Sequence, residues 1–416
     1  ITLPNEADHE ANKDAFISHQ TITSTYDEYG NALTQTIVKE HWLDEEKDGT
    51  YAFARGDTQT ITNGDFDFHG NTGTSTIVTV GADGVPKDTQ DIIYDAYDRY
   101  GNAVSQRMDT YIWSVTDGKY NFKETKTITN KYDSPIAQRK GNATETIATT
   151  YVYKVGEAID PENAPLITVD ADGNYVVSTS AKEIKRTETF TDIGDFDFRG
   201  NAEKQTTWTY VNDELTTRTT VENFDINSLG DAASQIITTE TTDETGLETS
   251  LEITNYQVMT NREYDSDHNV LNQNIYSYTQ DVRNLASGED KWDYFVDMQE
   301  TRSYGGYENG VAREQVIITY ALNKDGTLEA ATVKQIFNNV VDVSGNVTSS
   351  EIYEYGAAFV IGLNGTSIED GAYEITLPNE ADHEANKDAF ISHQTITSTY
   401  DEYGNALTQT IVKEHW

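Results

Sequence analysis

A six-residue pattern, Tyr/Phe-Asp-x-x-Gly-Asn, recurs along this chain and limits its architecture more than any other feature. It stands as YDEYGN at 26–31, FDFHGN at 66–71, YDRYGN at 97–102 and FDFRGN at 196–201. Weaker members fill the intervals: KGN at 140–142, FDINSLGD at 224–231, YDSDHN at 264–269, YENG at 307–310 and SGN at 344–346. The chemistry of the pattern is that of a reversal. An Asp side chain accepts from backbone amides two residues on, the variable pair takes a type I turn, and Gly supplies the positive φ that closes a hairpin. The turn-defining residues are therefore Asp27, Gly30 and Asn31; Asp67, Gly70 and Asn71; Asp98, Gly101 and Asn102; and Asp197, Gly200 and Asn201.

Each turn is flanked by alternating polar and apolar residues, the period of a strand. The return strands from Asn31 to Trp42 and from Asn102 to Trp113 are expected to run for about twelve residues. They carry a finer register. Gln35, Gln106, Gln205, Gln235 and Gln273 each lie four residues after the turn's last Asn or Asp, and Ile37, Met108, Ile237 and Ile275 follow two residues later. Hairpins stacked in register would bring those five Gln side chains together as an amide ladder beside an aliphatic stripe.

A second, larger repeat contains the first. Residues 1–42 recur unchanged as residues 375–416, an offset of 374. Residues 1–374 thus read as one block of about nine hairpin units, one per about 41 residues, and 375–416 as the start of the next identical block. Two gaps are longer, within 143–200 and 347–404, and are expected to hold insertions on the outside of the sheet. Four of the six prolines, Pro4, Pro161, Pro165 and Pro378, fall in the insertion sequences, as loops require. Asn5 to Phe16 is the one stretch that reads as a short helix.

The pattern Tyr-Asp-x-x-Gly-Asn-x-Leu/Val, best at YDEYGNAL (26–33) and YDRYGNAV (97–104), resembles the YD repeats of the RHS family. That resemblance implies a spiral β-sheet wound into a hollow shell. It covers the turns and little of the strands; the spacing here exceeds the usual unit of that family, and no toxin or autoproteolysis segment is present in this sequence.

Composition sets outer limits. Asp and Glu number 71 against 29 Lys and Arg, a formal net charge of -42, so nucleic acid and anionic membranes would repel the chain. Its 26 Tyr and abundant Thr belong to exposed sheet rather than to disorder. With no cysteine there is neither thiol chemistry nor a Cys-bound metal, and no apolar run approaches the roughly 20 residues of a membrane span. No nucleophile elbow, phosphate loop or paired-histidine zinc pattern occurs, so the sequence reads as non-enzymatic, with no cofactor required.

Two kinds of polar site remain. Asp170, Asp172 and Asn174 match the opening of a calcium loop, although the distal bidentate Glu is missing and an Asp-Gly hairpin turn is the competing reading. Asn142, Asn346 and Asn364 begin glycosylation sequons. The expected fold is all-β, with tandem long hairpins forming a continuous coiled or spiral sheet; tandem β-sandwich domains are the alternative. The expected role is a subunit of an extracellular or cell-surface filament that pairs with itself, with glycans or divalent cations as further partners. A repetitive adhesin and an RHS-like shell are the competing roles.

Overall fold

A computed structural model describes residues 18–43, 52–157, 159–162, 164–265, 268–342, 345–356, 390–400 and 406–415. Within these 65% of the residues are in strands and 5% in helices, and the strands divide between two compact units.

The first unit comprises Ile1–Arg218 and Thr242–Thr249. Its strands are β1 (Ser18–Tyr26), β2 (Ala32–Leu43), β3 (Ala52–Gly64), β4 (Thr74–Val80), β5 (Pro86–Tyr97), β6 (Ala103–Ser114), β7 (Lys119–Lys131), β8 (Glu145–Tyr153), β9 (Ile167–Val169), β10 (Tyr175–Val177), β11 (Ala181–Phe190) and β12 (Lys204–Val211). β13 (Glu214–Ile226) begins in this unit and ends in the next. Every strand from β1 to β8 pairs antiparallel with its chain neighbour, β8 pairs with β11, and β11 with β12. β9 and β10 form a small two-stranded sheet of their own.

The second unit comprises Thr219–Thr241 and Ser250–Trp416. It continues the same plan through β14 (Ala232–Thr241), β15 (Glu252–Tyr264), β16 (Val270–Tyr278), β17 (Phe295–Glu308), β18 (Val311–Leu322), β19 (Leu328–Val341), β20 (Val347–Gly356), β21 (Phe390–Tyr400) and β22 (Ala406–His415). From β15 onward each is antiparallel to the one before it.

All strands except β9 and β10 belong to one 20-stranded antiparallel sheet. That is the arrangement expected of serial hairpins. Among the described residues it leaves no second sheet of matching size for the sandwich alternative. The strands form because Thr, Val, Ile and Tyr fill the alternating positions of a half-buried pleated surface. β2 and β6 are each 12 residues long, the length expected from the sequence.

The core is thin and lies in two places. In the first unit Phe122, Leu166, Ile167 and Ala181 are buried, with Tyr111, Tyr151, Tyr153 and Tyr175 packed against them. Leu166 and Ile167 belong to the first insertion, so this insertion does not merely decorate the sheet. Its apolar pair needs cover from water and finds it against Phe122, while Tyr175 donates to Asp95 at 3.1 Å and Arg107 Nη1 donates to the Ile167 carbonyl at 3.1 Å. In the second unit Met298, Val316, Ile318, Tyr320, Val333 and Tyr355 form a cluster on β17 to β20.

One helix was not anticipated. α1 (Pro135–Lys140) fills the turn between β7 and β8, with Ser134 accepting from the Ala137 amide at 3.0 Å and Gly141 closing the other end in the left-handed region. The expected helix at Asn5–Phe16 lies outside the described residues.

Candidate functional site

The repeated turns join odd to even strands, so within each unit they line one end of the sheet. Most are built as a clasp. In the first, the Asp27 amide donates to the Asn31 carbonyl at 3.0 Å and the Gly30 amide to the Asp27 carbonyl at 3.2 Å. Asp27 Oδ1 accepts from the amides of Tyr29 and Asn31, at 2.9 and 2.8 Å, and its Oδ2 accepts from Asn31 Nδ2 at 2.8 Å. One carboxylate thereby satisfies three donors and locks both ends of the loop.

The same set recurs at Asp67 with Asn71, Asp98 with Asn102 and Asp197 with Asn201. The two bonds from the closing Asn also recur at Asp265 with Asn269 and Asp342 with Asn346. At Asp265 the glycine position is taken by His268, at φ 65. At 227–231 the two functional groups exchange places: Asn227 Oδ1 accepts the amides of Leu229 and Asp231, and Asn227 Nδ2 donates to Asp231. Donor and acceptor need to be complementary; which end carries the charge is indifferent.

The carboxyl groups register this environment. Side-chain donation from Asn71 is the chief influence on Asp67 and holds its carboxyl below the ordinary range. At Asp27 and Asp98 burial alone pushes upward, but the donations from Asn31 and Asn102 and from the turn amides outweigh it, and both carboxyls sit below the ordinary range.

Two kinds of contact then tie turns to their neighbours, and neither is foreseen from the sequence. The first is the fit of Asn on Gly. A Cβ placed on Gly70 would lie 2.8 Å from Asn31 Oδ1, and one on Gly101 would lie 3.0 Å from Asn71 Oδ1. On Gly141 it would lie 3.1 Å from Asn102 Oδ1, and on Gly200 it would lie 2.8 Å from Asn142 Oδ1. The Asn that closes one clasp therefore occupies the space that the next clasp's glycine leaves open, a second reason for glycine besides its φ.

The second contact explains the tyrosine of the pattern. Tyr97 OH donates to the Thr72 carbonyl at 2.8 Å, Tyr132 OH to that of Ala103 at 3.3 Å and Tyr264 OH to that of Ala232 at 3.0 Å. Tyr307 OH likewise reaches the Val270 carbonyl, and Tyr400 OH the Val347 carbonyl at 3.1 Å. In every case the acceptor is the residue that follows the last position of the preceding turn. Burial pushes the Tyr97 hydroxyl up to about 12, so it stays a donor throughout the physiological range. Where the pattern has Phe66 instead, Asn63 Nδ2 donates to the Ala32 carbonyl at 3.0 Å, as Asn130 Nδ2 does to the Ala103 carbonyl beside Tyr132.

The glutamines do not form the expected ladder. Successive return strands are separated by an outgoing strand, so the five Gln side chains do not meet, and two of them bond within their own hairpins. Gln35 donates to Ser24 at 3.4 Å and Gln235 to Asn223 at 2.7 Å, while no bond joins any of Gln35, Gln106, Gln205, Gln235 and Gln273 to another. The row that repeats from hairpin to hairpin is the Asn, Gly and Tyr row at the turns.

Asp170, Asp172 and Asn174 lie between β9 and β10 and form another clasp. Asp170 Oδ1 accepts from the amides of Asp172 and Asn174, both at 2.9 Å, and Oδ2 accepts from Asn174 Nδ2 at 3.4 Å. Both oxygens serve the turn, the competing reading of this segment. Among the described residues no three His, Cys, Asp or Glu side chains converge as a metal-holding group.

Two sequon asparagines are likewise structural. Asn346 Nδ2 donates to Asp342 at 3.0 Å, and Asn142 packs against Gly200, with its sequon partner Thr144 buried and bonded to Asp133. Asn364 lies outside the described residues.

No protein-family model matches this chain, and no curated protein matches it. Among solved structures, a TcdB2–TccC3 complex aligns with 99% of this chain and 27% of its own, at 9% identity and a TM-score of 0.20. A porin-like protein from Bacteroides uniformis aligns over 77% and 91% of the two chains, at 12% identity and a TM-score of 0.23. A Photorhabdus luminescens Tc holotoxin pore aligns over 96% and 25%, at 12% identity and a TM-score of 0.15. The chain thus spans about a quarter of the toxin chains it aligns with, and similarity at this level carries no argument about fold or function.

Proposed function

We propose that this chain is a structural segment of a β-rich fibre at or beyond the cell surface, in which blocks of 374 residues continue one another's sheet. The observation that carries this reading is the union of β20 with β21. β21 belongs to the second copy of the repeated 42-residue segment, yet it pairs with β20 from Ser349↔Thr397 to Tyr355↔Phe390 as any interior strand does. It also places Tyr400 on the Val347 carbonyl, the tie that links turns inside the block. A boundary built from the same contacts as the interior favours mechanical continuity, and a sheet that continues has no exposed edge to aggregate. The net charge of -42 serves such a fibre by keeping neighbours from adhering laterally.

Electron microscopy of a polypeptide carrying three consecutive blocks tests the proposal. Uniform rods that lengthen by a constant increment per block are expected; compact beads on flexible connectors overturn it. A specific observation favours the adhesin as second reading: Tyr29, Phe68 and Phe198 stand exposed at the turn tips, at 83%, 91% and 79%, as a contact surface would require. Under that reading the beads, and not the rods, are expected.

A further inference from the structure

We propose that Lys87 and Asp57 form a covalent cross-link, an amide between the Lys87 side-chain nitrogen and the Asp57 side-chain carbonyl, which staples β3 to β5 across the end of β4. The bond is a property of the single chain and stands apart from the fibre reading.

Three local features bring the pair together. Each partner sits in a bulge, where one extra residue re-aims a side chain. On β3, Gly56 and Asp57 face the single residue Lys39, because Val38 pairs with Thr58 and Glu40 with Arg55. On β5, Lys87 is the extra residue, because Thr79 pairs with Asp88 and Val80 with Pro86. Between them runs the end of β4. Thr58 pairs with Val80, so the next position, beside Asp57, is Gly81, and a Cβ on Gly81 would lie 3.2 Å from Lys87 Cε. The missing side chain leaves a passage over the strand end, and the lysine stem runs through it.

The contact on the far side is close and dry. Lys87 Nζ lies 2.6 Å from Asp57 Oδ1 and 2.6 Å from Oδ2, with the lysine side chain 5% exposed. A nitrogen held against both oxygens is held beside Cγ as well, and such proximity replaces a bimolecular encounter. The Lys131 and Lys334 pairs, by contrast, face water, at 62% and 46% exposure.

Burying an ammonium is costly, which favours passing its proton to the Asp57 carboxylate. The neutral amine then attacks Cγ through its lone pair. Asp88, the next residue, feels the charges of both partners. Burial holds its carboxyl above the ordinary range against the donation from Thr79 and the charge of Lys87, and the charge of Asp57 adds to the rise. That suits Asp88 to give a proton to the departing hydroxyl and to take one from the attacking nitrogen. One C–N bond forms, one C–O bond breaks and one water leaves, with no oxidant or reductant consumed.

Mass spectrometry of the full chain is the test, because the cross-linked chain weighs one water less than its sequence. Trypsin cuts after Lys and Arg but not after an acylated lysine. The wild-type chain should therefore yield residues 56–99 as one fragment, one water light and uncut after Lys87. Lys87→Arg and Asp57→Ala should each restore the full mass and the cleavage at position 87, and the wild-type result stands whether or not these variants fold. Asp88→Asn should slow the appearance of the light form in newly synthesised chain by about 100-fold, and an unchanged rate would remove Asp88 from the step. A wild-type chain at full mass, cut after Lys87, would overturn the bond and leave an ion pair. Water loss with normal cleavage at Lys87 would place the loss elsewhere in the fragment, as a cyclic imide at Asp83 and Gly84, and would overturn it equally. Rods without the cross-link, or the cross-link without rods, would each decide one proposal and leave the other standing.

Discussion

The two ends of the hairpins obey different rules. At one end most turns repeat the same clasp, and at several of them an Asn–Gly fit or a Tyr hydroxyl ties the turn to the one before it. At the other end the connections vary from the two residues between β12 and β13 to the whole segment between β8 and β11 that holds β9 and β10. The long connections between β14 and β15 and between β16 and β17 also lie at that end of their unit. Register is therefore written once per hairpin, at the clasped end, and the opposite end is released to accept insertions. In a sheet whose strands alternate Thr with aliphatic residues, a slip of one residue would exchange the two faces, so a register device at every second turn has a clear use.

Two glycines with nearly the same backbone separate the contributions. Gly70, in a clasp, has φ +86 and Gly84, at the opposite end, has φ +81, so alanine at either carries a left-handed strain of about 1–3 kcal/mol. Only at Gly70 would the new methyl also meet a neighbouring clasp, 2.8 Å from Asn31 Oδ1, whereas Gly84 has nothing within 4 Å. Gly70→Ala should therefore lower the denaturation midpoint clearly more than Gly84→Ala. Equal losses in urea titrations of the two variants would mean that the ends differ in sequence but not in coupling.

The clasp itself can be broken and remade. Asn71→Asp would set two carboxylates against one another where Asn71 Nδ2 now donates to Asp67 at 2.9 Å, and should cost about 1–3 kcal/mol. The exchanged clasp at Asn227 and Asp231 shows that the reverse order also closes. Asp67→Asn combined with Asn71→Asp should then recover most of the loss. A double variant as unstable as the single one in the same titration would show that charge position, not complementarity, governs the turn.

Much of this end was legible in the sequence. Asp27, Gly30 and Asn31 specify their own loop through contacts no more than four residues apart, so local chemistry suffices to read them. Strand length and the all-β class followed from alternation between such loops. What was not legible depends on which strands become neighbours. The Gln positions share a period and were expected to share a ladder, but periodicity cannot show that an outgoing strand stands between successive return strands. The Asn–Gly and Tyr contacts bridge separate turns and are invisible to any reading of one turn at a time, although the alternation of Tyr with Phe before Asp was a signal that the hydroxyl had a partner at some turns and not at others. The α1 signature, Ser134 and Pro135 before and Gly141 after, is present in the sequence but coincides with the weak turn at 140–142, where the hairpin period alone predicts a simple reversal.

The smallest effect isolates the tyrosine. Tyr97→Phe removes the hydroxyl that donates to the Thr72 carbonyl at 2.8 Å and leaves the ring, so a loss of about 0.5–1.5 kcal/mol is expected. Tyr26 occupies the same place in its own clasp but stands 61% exposed, with no preceding turn among the described residues. Tyr26→Phe in the isolated chain should therefore leave stability unchanged. Hydrogen exchange at the amides flanking Thr72 supplies the local readout: protection should fall in Tyr97→Phe and hold in Tyr26→Phe. Were both variants equally stable and equally protected, the hydroxyl would be a passenger of the turn, and the coupling between clasps would have to come from the Asn–Gly fit alone. A loss confined to Tyr97→Phe would show that this residue's place in the repeat is fixed by the turn before it rather than by its own hairpin.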